Sequence, residues 1–239
     1  MDLKEAALGP THRHPWELAR SVLVTELLRE KLRAGARLLD VGCGDGFTGR
    51  RLAEVCQAHW HGVDEAFTQS APERGEFRQL RELAARPPAD ALLLLDVLEH
   101  VADEALFLRE TLEFVSDDAW VLVTVPAWPG LFSRHDRFLG HHRRYRPREL
   151  SALLARQGLV SERRFGAFFS LLLVRAFSRV LPEKESRGIA DWGLSQDHLI
   201  TRLVKFALLT DIKLSQLLAR WGVYLPGLSH VELCRVSAA

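Results

Sequence analysis

The chain has 239 residues, 47% of them hydrophobic and 26% charged, with 32 Lys+Arg against 31 Asp+Glu for a formal net charge of +1. That composition is ordinary for a globular chain and excludes wholesale disorder. The even charge balance excludes a surface built to meet a polyanion all over, so no nucleic-acid partner is expected. Three cysteines, Cys43, Cys56 and Cys234, are too few and too scattered for a disulfide framework or a Cys-rich zinc site. The N-terminus lacks a basic and apolar leader, and no run of about 18 apolar residues occurs, so a cytoplasmic protein without secretory signal or transmembrane helix is expected. The length fits one α/β domain over 1–239 with an embellishment.

In chain order, His14-Pro15-Trp16 opens a helical cap segment predicted over 14–35. Pro15 suits a first turn, where its missing N–H would have no partner anyway, and Leu18, Val22, Leu23, Leu27, Leu28 and Leu32 recur at helical spacing. A strand over 36–41 runs into Gly42-Cys43-Gly44-Asp45-Gly46 and a helix over 48–56. A second strand over 60–64 ends in Asp64, and a short third strand is read at 77–80. Residues 90–96 are nearly all apolar, as are 119–125 before Pro126, the pattern of strands buried on both faces of a parallel sheet; a helix over 103–114 lies between them. Such alternation predicts a doubly wound α/β sheet. Residues 128–145 read as a long loop, 147–157 as a helix stopped by Gly158, and 159–165 as a strand. Amphipathic helices at 168–181 and 199–221 flank a polar linker at 182–195, an insert spanning 168–228 ahead of a last strand at 229–236. For this insert a lid over an apolar pocket, a core-packing pair or dimer contact, and a peripheral membrane contact all fit the pattern.

The glycine loop carries the clearest chemistry. Glycines let a backbone turn sharply at a strand end and approach a ligand, and the following helix aims its N-terminal N–H groups at the same place. Asp64 lies about 20 residues on, where an acid can accept ribose hydroxyls. Two details argue against a dinucleotide: the third glycine of that fingerprint would fall at Phe47, and Asp40, on the strand end, would repel a pyrophosphate but attract an ammonium group. S-adenosylmethionine offers both a ribose and an amine.

Leu39-Asp40-Val41-Gly42-Cys43-Gly44-Asp45-Gly46 resembles the first motif of class I S-adenosylmethionine-dependent methyltransferases. Asp96-Val97-Leu98-Glu99-His100-Val101 resembles their motif after the fourth strand, in the form common to the small-molecule branch that includes the ubiquinone-biosynthesis enzymes. The resemblance covers 14–165, and two motifs in order at the ends of the first and fourth strands are specific together. His14-Pro15-Trp16-Glu17 with Arg20, and the stretch from His135-Asp136 to Gly140-His141 and Arg143-Arg144-Tyr145, resemble a bacterial subgroup. The resemblance implies a Rossmann-like sheet of seven strands with the last antiparallel. It also implies that Gly42, Cys43, Gly44 and Gly46 approach the methionine and ribose, with Asp64 and its neighbour Glu65 at the ribose. Asp96, Val97 and Leu98 would lie near the sulfonium, and Arg20, on a segment that closes over the cofactor, would pair with the methionine carboxylate unless it is a surface arginine. S-adenosylhomocysteine would be the product. Many relatives carry an acid after the third strand for the adenine; here Gln79-Leu80-Arg81-Glu82 leaves that task to backbone groups near Leu80 or Arg81.

Methyl transfer needs alignment and a dry site, and a general base only where the acceptor must lose a proton early. His135 and His141 are the candidate bases, with Tyr145 orienting substrate. His100 is a further candidate, or else a residue that packs over the cofactor or caps a helix; Glu99 reads as a solvent-facing helix start. Residues 134–148 hold six arginines and three histidines against Asp136 alone. Arg143 and Arg144, with Trp128 at the start of the loop, would form an anion clamp for the acceptor, or the arginines tie the loop down through carboxylates. A metal set at His135, Asp136, His141 and His142 is disfavoured by its spacing, and no metal is expected. The expected function is methylation of a small, amphipathic or anionic molecule by a monomer or homodimer, with oxygen the preferred acceptor atom. An NAD(P)-dependent oxidoreductase and a catalytically inactive S-adenosylmethionine-binding regulatory protein are the alternatives.

Overall fold

The structure, a computed structural model, describes residues 12–178 and 194–237. Seven strands form one sheet: β1 (Arg37–Val41), β2 (His59–Val63), β3 (Glu76–Phe77), β4 (Ala89–Leu95), β5 (Val115–Pro126), β6 (Leu159–Ala167) and β7 (Ser229–Val236). Their order is β3-β2-β1-β4-β5-β7-β6. The first five pair in parallel, and β7 runs antiparallel to both β5 and β6, as the resemblance implied. The helices are α1 (Pro15–Leu28), α2 (Phe47–Cys56), α3 (Glu104–Leu112), α4 (Arg134–Leu139), α5 (Pro147–Arg156), α6 (Phe169–Ser178) and α7 (Leu199–Arg220).

The run Leu92-Leu93-Leu94 explains the layering. Successive side chains on a strand point to opposite faces. Leu38 and Leu93 therefore join Leu23, Leu28 and Leu52 under α1 and α2, while Leu39, Leu92 and Leu94 join Leu108, Leu150 and Leu154 under α3 and α5. All of these leucines are essentially inaccessible to solvent. Strand order reverses at β1 and β4, and the crevice outside the carboxyl ends of those two strands is where such sheets bind ligands.

Three expectations change. The cap helix stops at Leu28 rather than continuing to 35, with the chain closing through Lys31 N and Leu32 N onto Leu28 O. The third strand is two residues long and lies one position earlier. The predicted loop at 128–145 contains α4, set by a capping box in which Ser133 N and Oγ each donate to Asp136 Oδ2 at 2.8 Å.

The predicted linker at 182–195 lies almost wholly outside the described residues. In the insert, Leu208 and Ile212 of α7 enter the core beside α1 and β6, and Ser215 Oγ donates to Gly166 O at 2.5 Å. Asp211 accepts from Ser170 N and Oγ, tying α6 to α7. Leu199, Leu203 and Phe206 remain exposed. Among the described residues no helix is long and apolar enough to cross a membrane.

Candidate active site

A cavity of about 1170 Å³ opens at the carboxyl ends of β1, β2 and β4 and extends beneath α1 and the segment after β5. Ligand pockets typically measure about 300–1,000 Å³, so this one has room for a nucleoside cofactor and a second molecule.

The glycine loop forms one wall. Gly42, Gly44 and Gly46 all adopt positive φ, and a Cβ on Gly42 would sit 2.6 Å from Val97 Cγ2, so the loop lies hard against the end of β4. Asp64, just past β2, accepts from Gly44 N (2.8 Å) through Oδ2 and from Ala66 N (2.9 Å) through Oδ1. These bonds fix the carboxylate and leave it lone pairs for a ribose diol. Asp40 is 2% exposed and accepts from Trp60 Nε1 at 3.2 Å. Burial raises its pKa to about 7, against the opposing hydrogen bond from Trp60 and the charge of Arg20. Arg78, Gln79 and Leu80 line the far end. Glu82 is occupied there by capping its own turn, accepting from Gln79 N and Arg78 N.

Asp96 stands at the centre. Its backbone takes the left-handed conformation (φ 58°), uncommon for a non-glycine residue and concentrated at functional sites. Its carboxylate accepts from Thr124 Oγ1 (3.0 Å) and from Arg20 Nη1 (2.5 Å), and the Arg20 guanidinium lies 4.4 Å from the Trp16 ring centroid. Arg20 is thus a cavity residue; its Nε has no hydrogen-bond partner. Arg13 donates to Asp45 at 2.6 Å over the Phe47 ring, which holds the N-terminal segment on the glycine loop.

The opposite end is lined by Glu99, His100, His135, Leu139, His141 and Arg144, with Leu171 of α6 beside them. Glu99 is fully buried rather than solvent-facing, because a single 3-10 turn over Leu98–His100 turns it inward. Both of its carboxylate oxygens lack hydrogen-bond partners. Burial and the charge of Asp96 push its pKa well above the ordinary range. Asp136 accepts from His141 Nδ1 (3.0 Å) and Arg144 Nε (2.7 Å) as well as Ser133. Burial alone would raise its pKa, but these partners hold it far below the usual carboxylate range. An ionised Asp136 can only accept, so His141 donates to it through Nδ1 and Nε2 is the ring nitrogen left for another partner. Burial lowers the pKa of His135, leaving it a neutral base at neutral pH.

Of the residues singled out from the sequence, the structure brings Arg20, Asp40, Gly42, Cys43, Gly44, Asp64, Glu65, Asp96, Val97, His100, His135, His141 and Arg144 into this cavity. Five others are elsewhere. Leu98 is a core residue on the α3 side of the sheet. Gly46 ends the loop, where a Cβ would meet Arg50 and Trp60. Tyr145 is buried and donates its hydroxyl to Leu98 O. Arg143 pairs with Glu104 and donates to Val101 O and Ala102 O. Trp128 Nε1 donates to Gly227 O in a separate surface cleft. Tyr145 and Arg143 therefore staple the segment after β5 to the turn after β4. Sequence reasoning missed the buried Glu99, whose signal was its place between two apolar residues of a strand-end turn and a histidine. The tetrad His135, Asp136, His141 and His142 is not gathered; Glu99, His100 and His141 are.

A family model described as a methyltransferase domain matches residues 13–162, more than half of the chain. The chain belongs to this family of class I S-adenosylmethionine-dependent methyltransferases. Among curated proteins none matches. Solved structures share the fold at low identity. The [4+2]-cyclase SpnF has 20% identity and a TM-score of 0.57 over 99% of this chain and 93% of its own. A Galdieria sulphuraria protein described as a sarcosine dimethylglycine methyltransferase has 16% identity and a TM-score of 0.56, over 92% of this chain and 86% of its own. Phosphoethanolamine N-methyltransferase 2 of Haemonchus contortus, in complex with S-adenosylmethionine, has 14% identity and a TM-score of 0.54, over 92% of this chain and 52% of its own. A cyclase among them is a reminder that the fold does not choose the reaction. The family's cofactor fits the residues present: an ionisable Asp40 beside the loop for the ammonium, a fixed carboxylate at Asp64 for the ribose, and glycine backbone with no room for a side chain between loop and Val97.

Proposed function

We propose that this methyltransferase acts on an oxygen of a small acceptor molecule that enters the end of the cavity lined by His100, His135, His141 and Leu171. The observation that carries this reading is the set of imidazoles at that end, among them a neutral, half-buried His135, beside apolar Leu139 and Phe107. A hydroxyl acceptor must shed a proton as it gains a methyl group, and His135 can take that proton at neutral pH. When bound, S-adenosylmethionine supplies the methyl group on a sulfonium sulfur.

The chain's own residues bind and align. Asp64 accepts the ribose hydroxyls and Asp40 in its ionised form faces the ammonium. Arg20, with its unpartnered Nε, is placed to meet the carboxylate. Arg144, ion-paired with Asp136 and donating to Ala127 O, lines the acceptor end, where the guanidinium N–H groups not used in those bonds suit an acceptor oxygen. The apolar α6 wall favours an amphipathic acceptor. One methyltransferase domain with its helical insert as a partial cover accounts for the whole chain in this reading.

The test is incubation of the full chain with S-adenosylmethionine carrying a ¹³C-methyl group and a panel of small hydroxylated, amine and carbon-acid acceptors, with NMR detection. Signal in the O-methyl region, lost in His135→Ala while cofactor binding persists, supports the reading. N- or C-methyl products alone contradict it.

A further inference from the structure

Glu99 stands out among the described residues as a buried carboxylate. It is fully inaccessible, neither carboxylate oxygen has a hydrogen-bond partner, and yet it lines the cavity. Burying an ionisable group without a partner is costly, and such groups are normally paired or bound to a metal. One ligand atom each from Glu99, His100 and His141 lie within 4.8 Å of one another, and the His100 and His141 rings meet edge-on at 4.6 Å between centroids.

The surroundings are those of a ligand set held in position. His142 N donates to Glu99 O at 2.7 Å, so the segment after β5 is bonded directly to the turn after β4. Tyr145 and Arg143 reinforce that seam. Asp136 holds His141 by Nδ1, an arrangement in which a carboxylate orients an imidazole and makes its other nitrogen a better ligand.

We propose that Glu99, His100 and His141 bind a single divalent cation at the acceptor end of the cavity. Donor bonds of about 2.0–2.2 Å require the three atoms to draw together by roughly 1 Å, within reach of side-chain rotation. Two imidazoles and one carboxylate suit Zn²⁺, Co²⁺, Fe²⁺ or Mn²⁺ better than Mg²⁺, which prefers oxygen. Three protein ligands leave coordination positions for other molecules, and all three of these residues line the cavity. The cation would lower the pKa of an acceptor hydroxyl held there, and His135 would take the O–H proton as that oxygen gains the methyl group. That role rests on the methyl-transfer reading above; the binding site itself does not.

The test uses the full chain, stripped with EDTA and titrated with Co²⁺ by calorimetry and visible absorption, with S-adenosylhomocysteine binding measured on the same samples. One Co²⁺ per chain is expected, with the visible bands of a cation coordinated by nitrogen. Glu99→Gln and His100→Ala, each checked by thermal melting, should weaken Co²⁺ binding by about 100-fold or more while S-adenosylhomocysteine binding stays within about threefold. Wild type that takes up no stoichiometric Co²⁺, or two folded variants that bind as tightly as wild type, would overturn the site. Failure to bind S-adenosylhomocysteine would instead count against the methyltransferase reading and leave the cation result to stand by itself.

Discussion

Arg20 Nη1 and Asp96 Oδ2 lie 2.5 Å apart, an ion pair that fastens α1 to the end of β4 across the middle of the cavity. Both side chains are largely shielded, Asp96 sits on left-handed backbone, and the guanidinium also covers Trp16. Arg20→Ala leaves a carboxylate with only Thr124 as partner. We expect a stability loss of about 1–3 kcal/mol by urea denaturation, smaller than for a fully buried pair. Arg20→Lys should recover only part of it, since ammonium neither stacks nor forks in the same way. Full recovery by lysine would show that charge alone matters.

Asp40 predicts a pH dependence. Its folded pKa is about 7, raised mainly by burial, so the folded chain holds the proton more tightly than the unfolded one. Its contribution is therefore fully present below the ordinary carboxylate pKa and is lost as pH rises through about 7, by up to a few kcal/mol. Asp40→Asn should flatten that slope. A bound ammonium favours the ionised form, so cofactor affinity should rise between pH 6 and pH 8 in wild type and not in Asp40→Asn. Parallel profiles for the two proteins would contradict this.

Gly49 is a packing test of the same corner. Alanine normally favours a helix interior over glycine by about 1 kcal/mol. Here a Cβ would come within 2.1 Å of Asp40 Oδ2 and 2.4 Å of Trp60 Nε1, on top of their hydrogen bond. Gly49→Ala should destabilise by about 1–3 kcal/mol despite its better propensity, and should lower cofactor affinity. A raised melting temperature would show that this corner yields.

Arg143 separates clamp from staple. Its partners are Glu104 and the carbonyls of Val101 and Ala102. Arg143→Ala should cost about 1–2 kcal/mol of stability and leave the KM for an anionic acceptor nearly unchanged. A raised KM in a protein of unchanged stability would restore the clamp.

The sheet and the glycine loop were legible because their signals are local. Leu92-Leu93-Leu94 and Leu38-Leu39 read as buried strands, and the Asp40–Gly46 loop with Asp64 read as a nucleoside site. The acceptor end was less legible, because it is assembled by contacts over some 40 residues. Nothing local says that His142 N bonds Glu99 O, or that Tyr145 and Arg143 face the turn after β4 instead of the ligand. Leu98 was misplaced for a related reason: one 3-10 turn sends it to the core and its neighbour Glu99 to the cavity. The helix α4 had a readable sign in Ser133 and Asp136, three residues apart, but it is only six residues long.

The most direct test of the central claim is calorimetry of the full chain with S-adenosylmethionine, S-adenosylhomocysteine and NADH, in wild type and Asp64→Ala. One equivalent of each of the first two should bind wild type, and NADH should not. Asp64→Ala should bind them at least about tenfold more weakly, through lost hydrogen bonds to the ribose. Wild type that binds neither sulfur compound, or an Asp64→Ala variant with undiminished affinity, would contradict the account.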